Sequence, residues 1–302
     1  MRFIRNIFAS ALGLFLIGTG RVRKAKEYAL SGNVIAAVYF HNPSKKLFTK
    51  CVHWLKNKGF IFISENELID ILKNNKPFPK GAVWISFDDG WKDNYINVYP
   101  VLESEKIPAS FFIVSEAVEN SGYYWWTLAE KYKYDLSKNY EEDINKLWQI
   151  PEAERKKIID ELSARHGKEM HREAMTVGEI KLMAKHSLVS IGSHTVNHVI
   201  TINCSGDELQ NEFSESKKSL ENITGKPVKT FCFPNGDFGE REEVFLKQAG
   251  YKAACVCENQ FITPQTNLYR ITRFSVGEGF FYEELCHIFG VWQRLIVRIK
   301  GK

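Results

Sequence analysis

Ala82-Val-Trp-Ile-Ser-Phe87 runs straight into Asp88-Asp89-Gly90. The first six residues have the β-rich apolar make-up of a buried strand, and Asp-Gly is turn chemistry. Outward from this segment the signature repeats. On the N-terminal side, residues 34–40 read as a buried strand ending at His41, residues 47–58 as a helix with Phe48, Cys51, Val52 and Leu55 on one face, and residues 60–63 as a strand. Ser64-Glu-Asn-Glu67 has the form of a capping box opening a helix through Leu72. On the C-terminal side, a helix around 96–104 precedes a strand at 109–114. Such βαβα alternation predicts an α/β fold built on a parallel sheet or barrel. It pauses over about 116–173, first aromatic (Tyr123, Tyr124, Trp125, Trp126) and then charged and helical, which reads as an insertion over one face. It resumes with a helix at 177–185 and strands at 188–192, 230–233, 252–256 and 270–276. A barrel carries its chemistry on the loops after the C-terminal ends of its strands.

Three such loops stand out. Adjacent carboxylates at Asp88 and Asp89 repel one another unless a cation or a proton resolves them, although a plain Asp-Gly turn has the same letters. The strand at 188–192 leads into Ser193-His194-Thr-Val-Asn-His198, with two imidazoles four residues apart at the start of a chain reversal or helix. Two neutral imidazoles and one carboxylate make a three-ligand metal site with positions open to water, suited to zinc, iron, cobalt or nickel. Phe231-Cys-Phe-Pro-Asn-Gly236 is the third strand-to-turn passage and is ordinary turn chemistry by itself.

In order and spacing, these motifs, with the phrase Ile107-Pro-Ala-Ser-Phe-Phe112 between them, resemble the NodB-type polysaccharide deacetylases of carbohydrate esterase family 4, over about residues 34–276. The resemblance implies a distorted (β/α) barrel, a divalent metal on Asp89, His194 and His198 (zinc first, with nickel, cobalt or iron as alternatives), and Asp88 as the base. It implies an acetylated glycan as substrate, with Pro234, Asn235 and Gly236 along its path, and removal of N-acetyl or, second to it, O-acetyl groups. A metal lowers the pKa of its water and polarises the acyl carbonyl, and Asp88 would take the water's proton. A catalytically silent glycan- or partner-binding barrel is the alternative.

The chain departs from the common family pattern twice. Cys232 stands where the third motif often has an Arg that pairs with the base, and Leu285-Cys-His287, in a helix-like stretch beyond the last strand, makes a poor match to the usual Leu-x-His acid. Both departures resemble the exopolysaccharide N-deacetylase subgroup, in which a histidine after the first strand is the candidate acid. His41 occupies that place. Arg273, or second to it Arg270, is the candidate to replace the missing cation beside Asp88 and the substrate. Trp125 and Trp126 are candidates to stack on sugar rings or to fill core.

The 302 residues, 44% hydrophobic and 25% charged, make an ordinary globular chain of one barrel-sized domain. A net charge of +5 hides an uneven distribution: residues 1–30 carry +5, residues 286–302 carry +4, and the body is acidic. A nucleic-acid-binding body would hold its cations on the folded surface, so nucleic acid is excluded as a partner. The apolar run Ile7–Gly18 is too short to span a bilayer and has no small-x-small cleavage site behind it. The expected organisation is a basic amphipathic leader (1–31), a barrel (32–285) and a basic amphipathic C-terminal helix (286–302). Trp292, Leu295, Ile296 and Ile299 share one face of that helix. Either end helix suits an anionic membrane surface or docking on the barrel. Six sparse cysteines read as buried reduced thiols, which favours a cytoplasmic protein or one peripheral to the inner membrane face, with secretion an open alternative.

Overall fold

The computed structural model describes residues 2–300, and their side chains over 7–295. The side chains of Arg2, Arg5, Ile296, Arg298, Ile299 and Lys300, and Lys302 altogether, lie outside the described residues. In chain order, α1 (Arg2–Gly18) and α2 (Arg21–Leu30) precede β1 (Ala36–Phe40), α3 (Lys45–Asn57), β2 (Ile61–Phe62), α4 (Glu65–Lys73), β3 (Ala82–Phe87), α5 (Tyr99–Glu105) and β4 (Ala109–Ile113). The insertion holds α6 (Trp125–Lys131), α7 (Lys138–Glu141) and α8 (Glu152–His166). After it come α9 (Val177–Lys185), β5 (Val189–Ser193), α10 (Gly206–Thr224), β6 (Thr230–Cys232), α11 (Glu240–Gln248), β7 (Ala253–Cys255), β8 (Phe274–Ser275), α12 (Phe281–Ile288) and α13 (Val291–Lys300).

The strands form one parallel sheet in the order β7-β6-β5-β4-β3-β1-β8. β2 is shorter than the expected 60–63 because it pairs only with Ala82 and Val83, and β4 takes the same edge of β3 from Ser86 onward. Both faces are covered, which is why these strands read as apolar runs rather than alternations. Ala37, Trp84, Phe112, Cys232 and Cys255 pack together on one side, and Val38, Phe40, Ile85, Phe87, Phe111 and Ile113 pack in the larger core with the helices.

The sheet curls until its edges meet. The Ile271 N–H donates to the Ala254 carbonyl at 2.9 Å, and three residues later β8 pairs with β1. The strand expected over 270–276 is therefore broken, paired first to β7 and then to β1, with Thr272 and Arg273 in the break. The result is a distorted (β/α) barrel with a helical insertion. That insertion has its own small core of Leu128, Ala129, Leu136, Tyr140, Leu147 and Leu162.

Helix starts follow local chemistry. The expected box at Ser64 and Glu67 caps α4, and Thr176 with Glu179 and Ser205 with Glu208 do the same for α9 and α10. At the chain's ends, α1 docks on α12 at Gly13, where a Cβ would lie 2.7 Å from the Tyr282 carbonyl oxygen. The boundary expected at 285/286 falls inside α12, and the last helix begins after Gly290, whose φ of 64° breaks the two apart. All six cysteines are free thiols, five of them buried and Cys257 half-buried.

Candidate active site

Asp88 continues the β3 ladder, its N–H donating to the Phe40 carbonyl at 2.9 Å. Asp89 leaves it, with φ at 70°, a left-handed conformation that Asp tolerates better than most residues. The two carboxylates thereby part company. The His194 N–H still donates to Ile113, after which Thr195 (φ 66°) and His198 (φ 53°) turn the chain. Of the two expected forms this is the chain reversal, not a helix. Glu212 of α10 holds it by accepting from the backbone N–H groups of Val196 (2.7 Å) and Asn197 (3.2 Å) and from the Asn197 amide (2.8 Å).

Both imidazoles converge on Asp89. Its Oδ1 lies 3.3 Å from His194 Nε2 and 3.4 Å from His198 Nε2, and all three residues are buried. Asp89 Oδ2 is occupied differently, accepting the Trp91 indole N–H at 2.8 Å. The His194 Nδ1 sits 2.8 Å from the Cys232 carbonyl, which only accepts, so that nitrogen carries a proton and Nε2 is the atom turned to Asp89. His198 is pushed down to about 4, above all by burial, against the opposing pull of the Asp89 carboxylate. It is neutral near pH 7. Burial pushes Asp89 up, yet the two imidazoles beside it hold it well below the ordinary carboxylate range. Two ring nitrogens thus face a carboxylate oxygen that has no hydrogen-bond partner. A divalent cation resolves that arrangement, so this donor set fits one.

Asp88, His194 and Cys232 form a second convergent trio, but its donors are engaged. Asp88 is gripped by the Arg273 guanidinium in a two-pronged pair, NH1 to Oδ1 at 2.8 Å and NH2 to Oδ2 at 2.9 Å. The same NH2 lies 2.9 Å from the Cys232 sulfur, and NH1 reaches Ser86 Oγ at 2.9 Å. Desolvation raises Asp88, but the charge and hydrogen bonds of Arg273, with lesser help from His194 and His41, hold it below its ordinary value. Burial raises the Cys232 thiol well above its usual value, so it stays protonated.

An open cleft of about 900 Å³ lies over these groups, lined among others by His41, Asp88, Trp91, Trp126, Trp148 and Asn235. The expected residues divide here. His41 is exposed at the rim, beside Tyr39. Trp126 lines the cleft with its ring 4.4 Å from that of His198. Trp125 instead turns behind the site, stacked on Arg155 at 4.3 Å and donating to the His198 carbonyl at 3.4 Å. Asn235, in left-handed conformation (φ 57°), lines the cleft, whereas Pro234 is buried and Gly236 packs against Cys257. Arg273 is 0% exposed, so it meets Asp88 and not a substrate. Arg270 pairs with Glu258 instead, and His287 sits in α12 beside Gln293, away from the cleft lining.

Sequence reasoning missed Trp91, Trp148, Arg155 and Glu212. Trp91 follows directly on the Asp-Asp-Gly turn, which was its only signal. Nothing near Trp148 or Arg155 in sequence points to the site they reach.

The family model described as polysaccharide deacetylase matches residues 75–254. A poly-beta-1,6-N-acetyl-D-glucosamine N-deacetylase of Staphylococcus aureus is 26% identical over 253 residues, spanning 81% of this chain and 74% of that protein. The structure of IcaB from Ammonifex degensii superposes with a TM-score of 0.61 at 16% identity, covering 85% of this chain and 98% of that one. The Streptococcus pyogenes deacetylase PplD, solved with acetate, gives 0.60 at 18% identity, covering 85% and 97%. These likenesses agree with the curled parallel sheet, and because the family model covers more than half of its residues, the chain belongs to the polysaccharide deacetylase family.

Proposed function

We propose that the protein is a metal-dependent N-deacetylase acting on a bacterial surface polysaccharide, or its precursor, built from N-acetylhexosamine. The observation that carries the reading is the pairing of an unpartnered Asp89 oxygen between two imidazoles with an arginine-clamped Asp88, both at the floor of one open cleft. The name of the staphylococcal relative supports N-acetylglucosamine as the sugar.

Asp89, His194 and His198 are the residues that would hold the ion, and their two nitrogens and one oxygen favour zinc, with nickel, cobalt and iron as rivals. Bound there, such an ion supplies acidity to a water and polarisation to an acyl carbonyl. The chain's own residues do the rest. Asp88, kept ionised by Arg273, accepts the water's proton; its Oδ1 gives one lone pair to the guanidinium and keeps another, while Oδ2 accepts from both the guanidinium and the Cys232 thiol. His41 protonates the departing amine from the rim, and Trp126 and Trp148 offer aromatic faces to the sugar beside His198. Loss of the amine as a neutral leaving group needs that proton, which is why an acid separate from Asp88 is assigned.

The test is metal analysis of the purified protein together with acetate release from N-acetylglucosamine oligomers, for the wild type and Asp88→Asn. The expected result is metal retained in both and activity lowered by about 10²-fold or more in the variant, the scale of general-base catalysis. Wild-type protein that holds metal yet frees no acetate from any acetylated glycan overturns the reading in favour of a silent glycan-binding barrel.

A further inference from the structure

Helix α1 is apolar on the side that faces away from the protein. Its docked side is Ala9, Gly13 and Leu16, at the spacing of one helical stripe, set against α12. Its outer side is Ile7, Phe8, Ala11, Leu12, Leu14 and Phe15, all exposed, with no charged residue from Ile7 to Gly18. Phe8 and Phe15 are 71% and 63% exposed, the extremes of this face. A surface helix normally turns charged residues to water, and a helix apolar all round is normally buried. Two more aromatics stand open next to it, Phe280 at 40% and Tyr282 at 44%, the latter at the very residue where α12 touches Gly13.

The charge beside this face is positive. Within one turn of its end, α2 opens with Arg21, Arg23 and Lys24, all exposed, and Glu27 pairs with Arg23. Arg21, Lys24 and Tyr28 line a shallow groove with Phe261 and with Leu295 of α13. Large apolar side chains beside clustered cations are the chemistry of a helix lying in the headgroup region of an anionic bilayer. No helix of the described residues is long and apolar enough to cross a membrane, which leaves an in-plane arrangement.

We propose that the outer face of α1, extended by Phe280 and Tyr282 and flanked by the basic start of α2, docks the protein peripherally on an anionic lipid surface. The place of this face adds a consequence. Phe280 follows within three residues of Gly277 and Glu278, which line the cleft, so a docked α1 sets the rim of the cleft near the lipid surface. Docking is independent of the chemistry in the cleft; the consequence that glycan is met at a membrane rests on the deacetylase reading.

The experiment is sedimentation of the full chain with vesicles of phosphatidylcholine alone or mixed with phosphatidylglycerol, at low and high salt, beside a measurement of mass in solution without lipid. Two variants accompany the wild type: Phe8→Ser with Phe15→Ser, and Arg21→Gln with Lys24→Gln. The wild type is expected to bind the anionic vesicles, less so at high salt. The phenylalanine pair should cost at least about tenfold in binding. The arginine–lysine pair should remove most of the salt dependence. Circular dichroism, and acetate release from a soluble oligomer, should be unchanged in both variants. Wild type that stays in the supernatant with anionic vesicles, or phenylalanine variants that sediment as the wild type does, overturns the proposal. A lipid-free dimer that the phenylalanine substitutions dissociate also overturns it, by assigning the face to a second copy of the chain. None of these outcomes depends on catalysis, so a failed acetate assay bears on the deacetylase reading alone.

Discussion

At the scale of residues, the site rests on how one cation and one cysteine share the space behind Asp88. Cys232 takes the strand position where a guanidinium is common in the family, and the break in the last strand brings Arg273 in from the opposite edge of the curled sheet. The guanidinium still arrives, from another element. Its effect on Asp88 has a definite sign: a base must be ionised to work, and Arg273 extends that ionised range downward. Arg273→Gln leaves a buried carboxylate without its partner, which costs about 3–5 kcal/mol of stability and raises the Asp88 pKa. The acid limb of kcat/KM against pH should therefore move to higher pH in this variant. Arg273→Lys keeps a charge without the two-pronged geometry and should shift it less. A pH profile with its acid limb unmoved in a folded Arg273→Gln protein would show that Asp88 is not the group being titrated.

At the scale of elements, the insertion does more than cover the barrel. Its helices α6 and α8 bring Trp125 and Arg155 together beneath His198, and both donate to the same carbonyl, at 3.4 Å each. That carbonyl belongs to a residue held at φ 53°, a conformation that non-glycine residues keep only when the surroundings demand it. Arg155 is 2% exposed and paired with Glu152, so it is a fixed strut and not a mobile surface cation. Its role is positioning: it is not itself among the residues that line the cleft and acts through His198, which is. Arg155→Met keeps the bulk and removes the donor. Outer groups that orient metal ligands contribute about 10–100-fold in affinity, so zinc affinity in competition with a chromophoric chelator should fall by that order. A purely structural role would instead lower the melting temperature in excess chelator and leave the zinc affinity of the folded protein unchanged.

At the scale of the whole molecule, what the sequence makes legible is what the barrel brings to one end. Asp88, Asp89, His194 and His198 all lie within five residues of a strand's end, and parallel strands in a closed sheet deliver their C-terminal loops to a common place, so local motifs were enough. Trp148 and Arg155 reach that place through the fold of the insertion, and Trp125 and Trp126, adjacent in sequence, part because neighbouring helical residues point about 100° from one another. No local pattern carries that information. The opposite end of the barrel holds a different kind of polar group. Glu65, at the start of α4, is 4% exposed, accepts from Thr230 Oγ1 at 2.8 Å, and lies with the residues that open β5 and precede β6. Burial raises its pKa from 4.5 to about 7, against smaller opposing influences led by the Thr230 hydrogen bond. The folded state thus binds this proton more tightly than the unfolded chain does, so between about 4.5 and 7 stability falls as pH rises, by on the order of 3 kcal/mol in all. Glu65→Gln removes the titration while keeping the shape. Urea unfolding across that interval should show the variant gaining on the wild type as pH rises, with the gain levelling above pH 7. Because the bottom of a barrel serves stability and the top serves chemistry, acetate release at saturating metal should be nearly unchanged. A stability difference that is flat with pH would mean that Glu65 is already ionised in the folded protein and held there by partners stronger than its hydroxyl neighbours.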